Sequence, residues 1–278
     1  MSAIPSTTVA NLRDLGGTEL AGGGRVRGGV LFRSGQLDRL DPVADPAVAA
    51  LGVRTVVDLR TRAEREARPD RIPEGGRLLL ADVLADQVAA GSLPAAARLR
   101  QLLADPVAAE RELGGGRGPE LFGQIYRSFV TTDSARAAYG AFLTELAEPD
   151  AAPLLFHCTA GKDRTGWAAT VVLTLLGASP ETVRAEYLSV NAAVREAFAP
   201  LVEGFTVQGG RPETALAVIG VVPEYLAAAL DEVEARYGSM EAYATEGLGV
   251  GAGALERIRA RLVVPPPAGG ADPGAGTG

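Results

Sequence analysis

Apolar positions along the chain fall into short runs and longer helical spacings. Val30-Leu31-Phe32-Arg33 reads as a strand, and so does the valine-rich run from Val53 to Leu59 that follows Gly52. Thr61 to Arg68 is charged and helical in character, and Arg77 to Leu80 reads as a further strand leading to Asp82 and Asp86. Residues 87–148 are mostly helical. Pro94 and Pro106 stand where helices begin, and Leu99, Leu102 and Leu103 form a patch at helical spacing. Gly114-Gly115-Gly116 with Gly118-Pro119 reads as a break, after which Pro119–Val130 and Ser134–Leu146 are two more helices. Pro153-Leu154-Leu155-Phe156 is continuously apolar, the pattern of a strand covered on both faces. Arg164 to Leu176 is a helix with little polar surface, closed by Gly177. Ser179-Pro180 starts another helix, Pro223–Tyr237 is ended by Gly238, and Leu255–Leu262 is the last. From Val263 the Pro/Gly/Ala composition predicts a disordered tail.

Composition narrows the function. The 278 residues, 47% hydrophobic, suit one large domain or two small ones. A net charge of −7 argues against a general nucleic-acid or anionic-membrane binder, so any affinity for phosphate must be local. A single cysteine excludes an internal disulfide framework. One histidine beside it makes neither a zinc site, a papain-like pair nor a serine-hydrolase triad, and no metal or other cofactor is expected. Met1–Ala10 lacks the regions of a signal peptide, and the run Trp167–Leu176 is too short to span a bilayer. A soluble, cytoplasmic protein without integral membrane association is expected, with export by another route left open.

The unusual residues sit together. His157, Cys158 and Lys162 are the only residues of their types, and Trp167, also the only one, follows closely. Lys+Arg is 27, so removing this one lysine leaves 26 arginines. The stretch His157-Cys158-Thr159-Ala160-Gly161-Lys162-Asp163-Arg164-Thr165-Gly166 lies between the apolar strand and the apolar helix. Strand, loop and helix aim successive backbone N–H groups at one point, and the helix dipole adds positive charge there. Amides from Thr159 through Ala160, Gly161, Lys162 and Asp163 to Arg164 can ring a tetrahedral dianion, with Gly161 making the tight turn. Arg164 can grip two oxygens with its planar fork. Cys158 lies beneath, and thiols at such sites have pKa values of roughly 3.5–7.5. Thr165 can donate to the sulfur when it leaves.

This decamer is similar to the signature of the cysteine-dependent protein tyrosine phosphatase superfamily. Asn11-Leu12-Arg13-Asp14-Leu15-Gly16-Gly17, Phe32-Arg33-Ser34-Gly35, Asp58-Leu59-Arg60 and Tyr237-Gly238-Ser239 resemble its bacterial branch, which acts on phosphotyrosine, phosphoserine/threonine and phosphoinositides. The resemblance covers roughly residues 9–262. It implies an α/β fold with a parallel-rich central sheet flanked by helices, residues 1–262 forming one domain with a helical lid over about 84–130. It also implies a metal-free two-step mechanism through a phosphocysteine, with a phosphorylated protein or phosphoinositide as substrate and inorganic phosphate as product. Asp163 matches the acid of this branch, and Asp82 is the second candidate.

Several residues carry plainer readings. His157 is expected to hold the loop and tune Cys158 rather than carry protons. Arg13 and Asp14 shape the scaffold. For Arg60, structural pairing and substrate contact weigh equally. Tyr126 and Phe129 fit core packing better than a lid lining, and Trp167 fits core beside the site. Lys162 suggests a second cation at the rim, suited to a neighbouring phosphate, although pairing with a carboxylate also accounts for it. Broad phosphomonoester hydrolysis is the leading reading. A phosphoinositide phosphatase, a catalytically weak phosphate-binding module and a rhodanese-type sulfurtransferase are the alternatives, and the Arg164-Thr165-Gly166 ending speaks against the last.

Overall fold

The computed structural model describes residues 2–90, 105–115 and 117–266. Pro94, the Leu99–Leu103 patch and the tail from 267 lie outside the described residues. The strands are β1 (Ser2–Ala3), β2 (Arg13–Asp14), β3 (Arg25–Val26), β4 (Leu31–Ser34), β5 (Thr55–Asp58), β6 (Arg77–Leu80), β7 (Leu154–His157) and β8 (Val263–Val264). The main sheet has the order β1-β2-β4-β7-β5-β6. Strands β4, β7, β5 and β6 are parallel, and β2 and β1 add antiparallel at one edge. Register aligns Ser34, His157 and Asp58 at the carboxyl ends of the three central strands. In open α/β sheets that edge is where ligands bind.

The sheet is apolar on both faces, which explains the unbroken apolar runs. Leu31, Val57, Leu154 and Phe156 point into the larger core, while Phe32, Val56 and Leu155 point into a smaller one with Leu12, Leu37 and Val48. The period of two in a strand sends alternate side chains to opposite sides.

The helices are α1 (Pro46–Ala49), α2 (Arg62–Ala67), α3 (Ala85–Ala89), α4 (Pro106–Leu113), α5 (Arg117–Thr131), α6 (Asp133–Ala147), α7 (Asp163–Leu175), α8 (Pro180–Leu188), α9 (Val190–Val207), α10 (Pro212–Ile219), α11 (Pro223–Tyr237), α12 (Met240–Ala242) and α13 (Ala252–Leu262), with a π-turn over Tyr243–Gly247. α7 is buried almost all round, as its composition predicts, with Trp167 fully enclosed. Gly177 (φ 88°) closes it, and the amide of Ala178 donates to the carbonyl of Leu173. Ser179 caps α8 by accepting from the Thr182 amide, and Gly238 (φ 72°) ends α11.

Some elements depart from the expected ones. Gly118-Pro119 does not break the chain: both residues lie in the first turn of α5, where the missing proline N–H has no intrahelical partner to lose. Of the span expected as a lid, α5 belongs to the packed body, because Tyr126, Phe129 and Val130 are fully buried in the larger core. Val263-Val264 is a strand rather than the start of the tail, pairing antiparallel with β3. α9 occupies a span for which no element is predicted above, and it continues through both Pro200 and Gly204. Among the described residues no single helix is long and apolar enough to cross a membrane.

Candidate active site

β7 ends at His157, and the chain turns at once into the loop that starts α7. Cys158 is the first residue after the strand and is 2% exposed. Gly161 sits at φ 69°, and a Cβ there would lie 2.4 Å from the Ser34 carbonyl oxygen. Both the turn and the close approach to the β4 terminus therefore require glycine. The first helical bond runs from the Gly166 amide to the Lys162 carbonyl (2.7 Å). Among the described residues, no N–H from Thr159 to Thr165 donates to a protein acceptor. Unmatched amides at a helix N-terminus, directly after a buried cysteine, are donors that an anion can satisfy.

Arg164 is buried and bound at both terminal nitrogens by Glu64: Nη1 donates to Oε2 (2.7 Å) and Nη2 to Oε1 (2.9 Å). Nη1 also reaches the Leu59 carbonyl (3.3 Å) and Nη2 reaches the Thr159 hydroxyl (3.4 Å). The fork expected to face phosphate is thus taken by a carboxylate, because an unpaired guanidinium at this depth would be costly. Nε remains without a partner among the described residues. Glu64 also accepts from the Thr159 hydroxyl, and burial alone would raise its pKa; Arg164 and these hydrogen bonds outweigh that and hold its carboxyl far below the usual range. Glu64 is set in place by α2, whose capping box joins Thr61 and Glu64 reciprocally.

Beneath the loop lies a second buried cluster. Arg60 donates through Nε (2.9 Å) and Nη2 (2.8 Å) to Asp58, and Nη2 is 2.7 Å from Asp70. His157 Nε2 is 3.1 Å from Asp70, and its Nδ1 is 3.3 Å from the Cys158 carbonyl. Arg60 is therefore a structural partner, with a fully buried side chain. His157 thus lies between Asp70 and the carbonyl of Cys158. Asp58, Asp70 and His157 bring ligand-type atoms within 4.8 Å of one another, but Arg60 already lies on both carboxylates and supplies the cation. Burial would raise the Asp70 carboxyl, yet the adjacent His157 ring and the charge of Arg60, with the amide of Leu37, bring it down to about 2.

Asp163 opens α7. Its Oδ1 accepts from the Tyr126 hydroxyl (3.1 Å), which in turn accepts from Tyr187 (2.7 Å), and its Oδ2 is 3.4 Å from Lys162 Nζ. Burial, then the charge of Asp163, push the Tyr126 phenol well above its ordinary pKa, so it stays a donor. Asp82 follows the edge strand β6. It accepts from the amides of Arg62 (3.0 Å) and Leu84 (3.1 Å) and so fixes two turns. Lys162 is not a cation at the rim: it is buried, and Nζ donates to the carbonyls of Val218 (2.8 Å) and Gly220 (2.9 Å). Thr165 Oγ1 is buried with no partner among the described residues, so the expected bond to sulfur is not formed here. Arg13 and Asp14 shape the scaffold: Asp14 accepts from the amides of Gly16 (2.7 Å) and Gly29 (2.7 Å), and Arg13 packs beside Arg33 and Glu186.

Sequence reasoning did not single out Glu64, Asp70 or Tyr187. A Thr-x-x-Glu pattern at Thr61 marks Glu64 as a cap, but only the fold shows that its free edge meets Arg164.

A parallel sheet, a buried cysteine after its central strand, and an amide-lined loop closed by an arginine define a cysteine-dependent phosphatase site. The chain belongs to the tyrosine phosphatase family, whose model matches residues 4–264. It is 32% identical over 277 residues to the triple specificity protein phosphatase PtpB of Mycobacterium tuberculosis, covering 91% of this chain and 96% of that one. It is 32% identical over 244 residues to a putative tyrosine-protein phosphatase of Cupriavidus necator (87% and 83% covered), and 26% over 240 residues to a tyrosine-protein phosphatase of Nostoc commune (83% and 73%). The protein is a phosphatase acting on phosphorylated substrates and releasing phosphate.

Proposed function

We propose that Cys158 is the nucleophile of a two-step phosphomonoester hydrolysis with broad specificity. The observation that carries this reading is the set of unmatched amides from Thr159 to Thr165 that directly follows the buried Cys158. In the first step the sulfur forms a bond to phosphorus as the P–O bond to the leaving group breaks. Asp163 gives its proton to the departing oxygen. In the second, water attacks phosphorus and passes a proton to Asp163 while the S–P bond breaks, returning the thiolate and orthophosphate. The amides and Arg164 Nε stabilise the charge gathering on the equatorial oxygens. Thr165 is the donor to sulfur as it leaves.

Asp163 is favoured over Asp82 because it lies inside the loop, held at both oxygens, whereas Asp82 is engaged with two backbone amides. The phosphoinositide reading loses support, since the Lys162 ammonium proposed for a neighbouring phosphate is bound to two carbonyls. Phosphorylated proteins are the proposed substrates and the cytoplasm the proposed location. Wild-type protein should hydrolyse an aryl phosphate in the presence of chelator, be blocked by vanadate, and lose turnover in Cys158→Ser. Asp163→Asn should lose more activity on poor leaving groups than on good ones, by a factor on the order of 10²–10⁴; equal losses, or the same pattern in Asp82→Asn instead, would reassign the acid. Phosphotyrosine peptide, phosphoserine peptide and phosphoinositide assayed side by side rank the substrates.

A further inference from the structure

The carbonyls of the loop are all engaged on one side. The Thr159 carbonyl accepts from the Gln36 amide (3.2 Å) and the Ala160 carbonyl from Asn11 Nδ2 (3.2 Å). The Gly161 carbonyl accepts twice, from Asn11 Nδ2 (2.9 Å) and from Arg33 Nη2 (2.7 Å). Lys162 then gives its carbonyl to the first helical bond. A trans peptide is planar, so its N–H points opposite to its C=O. Each captured carbonyl therefore turns the following amide the other way: Ala160, Gly161, Lys162 and Asp163 in succession.

The two side-chain donors are themselves fixed. Arg33 is fully buried and lies with Nη1 2.7 Å from both oxygens of Glu186. Asn11 adopts φ 57°, the left-handed region that asparagine, aspartate and glycine tolerate best. Its side chain thereby spans two successive carbonyls of a loop about 150 residues away in sequence.

We infer that Asn11 and Arg33 are positioning residues: by holding the Ala160 and Gly161 carbonyls, they set the Gly161 and Lys162 amides to face the phosphoryl oxygens. This rests on the reading of the loop as an oxyanion cradle. Without these donors a peptide flip would place a carbonyl dipole against the anion, a repulsive arrangement. The inference also gives physical work to the Asn11–Gly17 and Phe32–Gly35 motifs, which the chemistry at Cys158 does not itself use.

The test uses Asn11→Asp, which keeps shape and backbone preference but cannot donate, and Asn11→Gly, which keeps the left-handed turn if the aspartate variant does not fold. Asp14→Asn is the control, since Asp14 supports the neighbouring turn without touching the loop. The readouts are the inhibition constant of inorganic phosphate in aryl phosphate hydrolysis and the rise in Tm that phosphate produces. Both Asn11 variants should weaken phosphate by about tenfold or more, a change of about 1.4 kcal/mol, and lose most of the Tm rise. Asp14→Asn should keep the wild-type phosphate constant even where its Tm falls. Wild-type phosphate affinity in the Asn11 variants, or equal weakening in Asp14→Asn, would overturn the inference. A wild-type protein that neither binds phosphate nor turns over would instead remove the cradle reading itself.

Discussion

Tyr126 illustrates how one side chain serves packing and chemistry together. Its ring is buried against Phe129, Tyr187 and Tyr225, with centroids 5.1, 6.1 and 5.7 Å away. Its hydroxyl, kept protonated by burial, is the donor that sets Asp163 Oδ1. Tyr126→Phe should fold, at a cost of about 1 kcal/mol for the lost hydrogen bonds. It should also lower turnover of poor leaving groups several-fold, while leaving phosphate affinity close to wild type. Stopped assays across pH with two aryl phosphates check this; identical profiles for variant and wild type would mean that Asp163 needs no such orientation. Core packing at Tyr126 is legible from helical spacing. The contact with Asp163 is not, because it joins residues 37 apart through a crossing of α5 and α7.

At the scale of elements, α2 is the instructive case. It is six residues long and buries no residue fully, so it contributes little to the core. Its value lies at its N-terminus, where one carboxylate completes a capping box and neutralises Arg164. Thr61→Ala should cost about 1 kcal/mol in urea unfolding and reduce kcat/KM as Glu64 loosens. Breaking the exposed Arg62–Glu66 pair in the same helix should change neither measurably, since water screens an ion pair between two exposed side chains. A kinetic effect of equal size in both would show that helix stability alone matters. The sequence makes the strand–loop–helix unit at 154–175 readable because continuous apolar runs flank a glycine turn. It makes α2 readable through its capping pattern. The β8 strand and the helix α9 are hidden: two valines before a proline run look like tail, and Pro200 with Gly204 looks like a break, until tertiary pairing and packing override those local signals.

For the whole molecule, the loop rests on charges gathered from distant segments under the sheet edge. Asp58 ends β5 and Arg60 follows it, Asp70 follows α2, and His157 ends β7. Asp70, at about 2 in the folded protein, lies below an ordinary aspartate at about 3.9. Its stabilising contribution is therefore complete above the unfolded value and is lost as pH falls through about 2. Glu64, held lower still, adds to the same acid limb. Stability measured by urea between pH 6 and pH 2 should fall less steeply in Asp70→Asn than in wild type. Parallel curves would place the acid-sensitive groups elsewhere. The cluster is largely illegible in the sequence, because its members are scattered through about a hundred residues and strand register brings only Asp58 and His157 level.

The proposed chemistry turns on the sulfur of Cys158, and the decisive experiment traps its covalent intermediate. Rapid acid quench of protein turning over an aryl phosphate, followed by peptide mass spectrometry, should find the phosphoryl group on Cys158 and on no other residue. Sustained turnover with the phosphoryl group absent from Cys158, or undiminished hydrolysis by Cys158→Ser, would rule out Cys158 as the nucleophile.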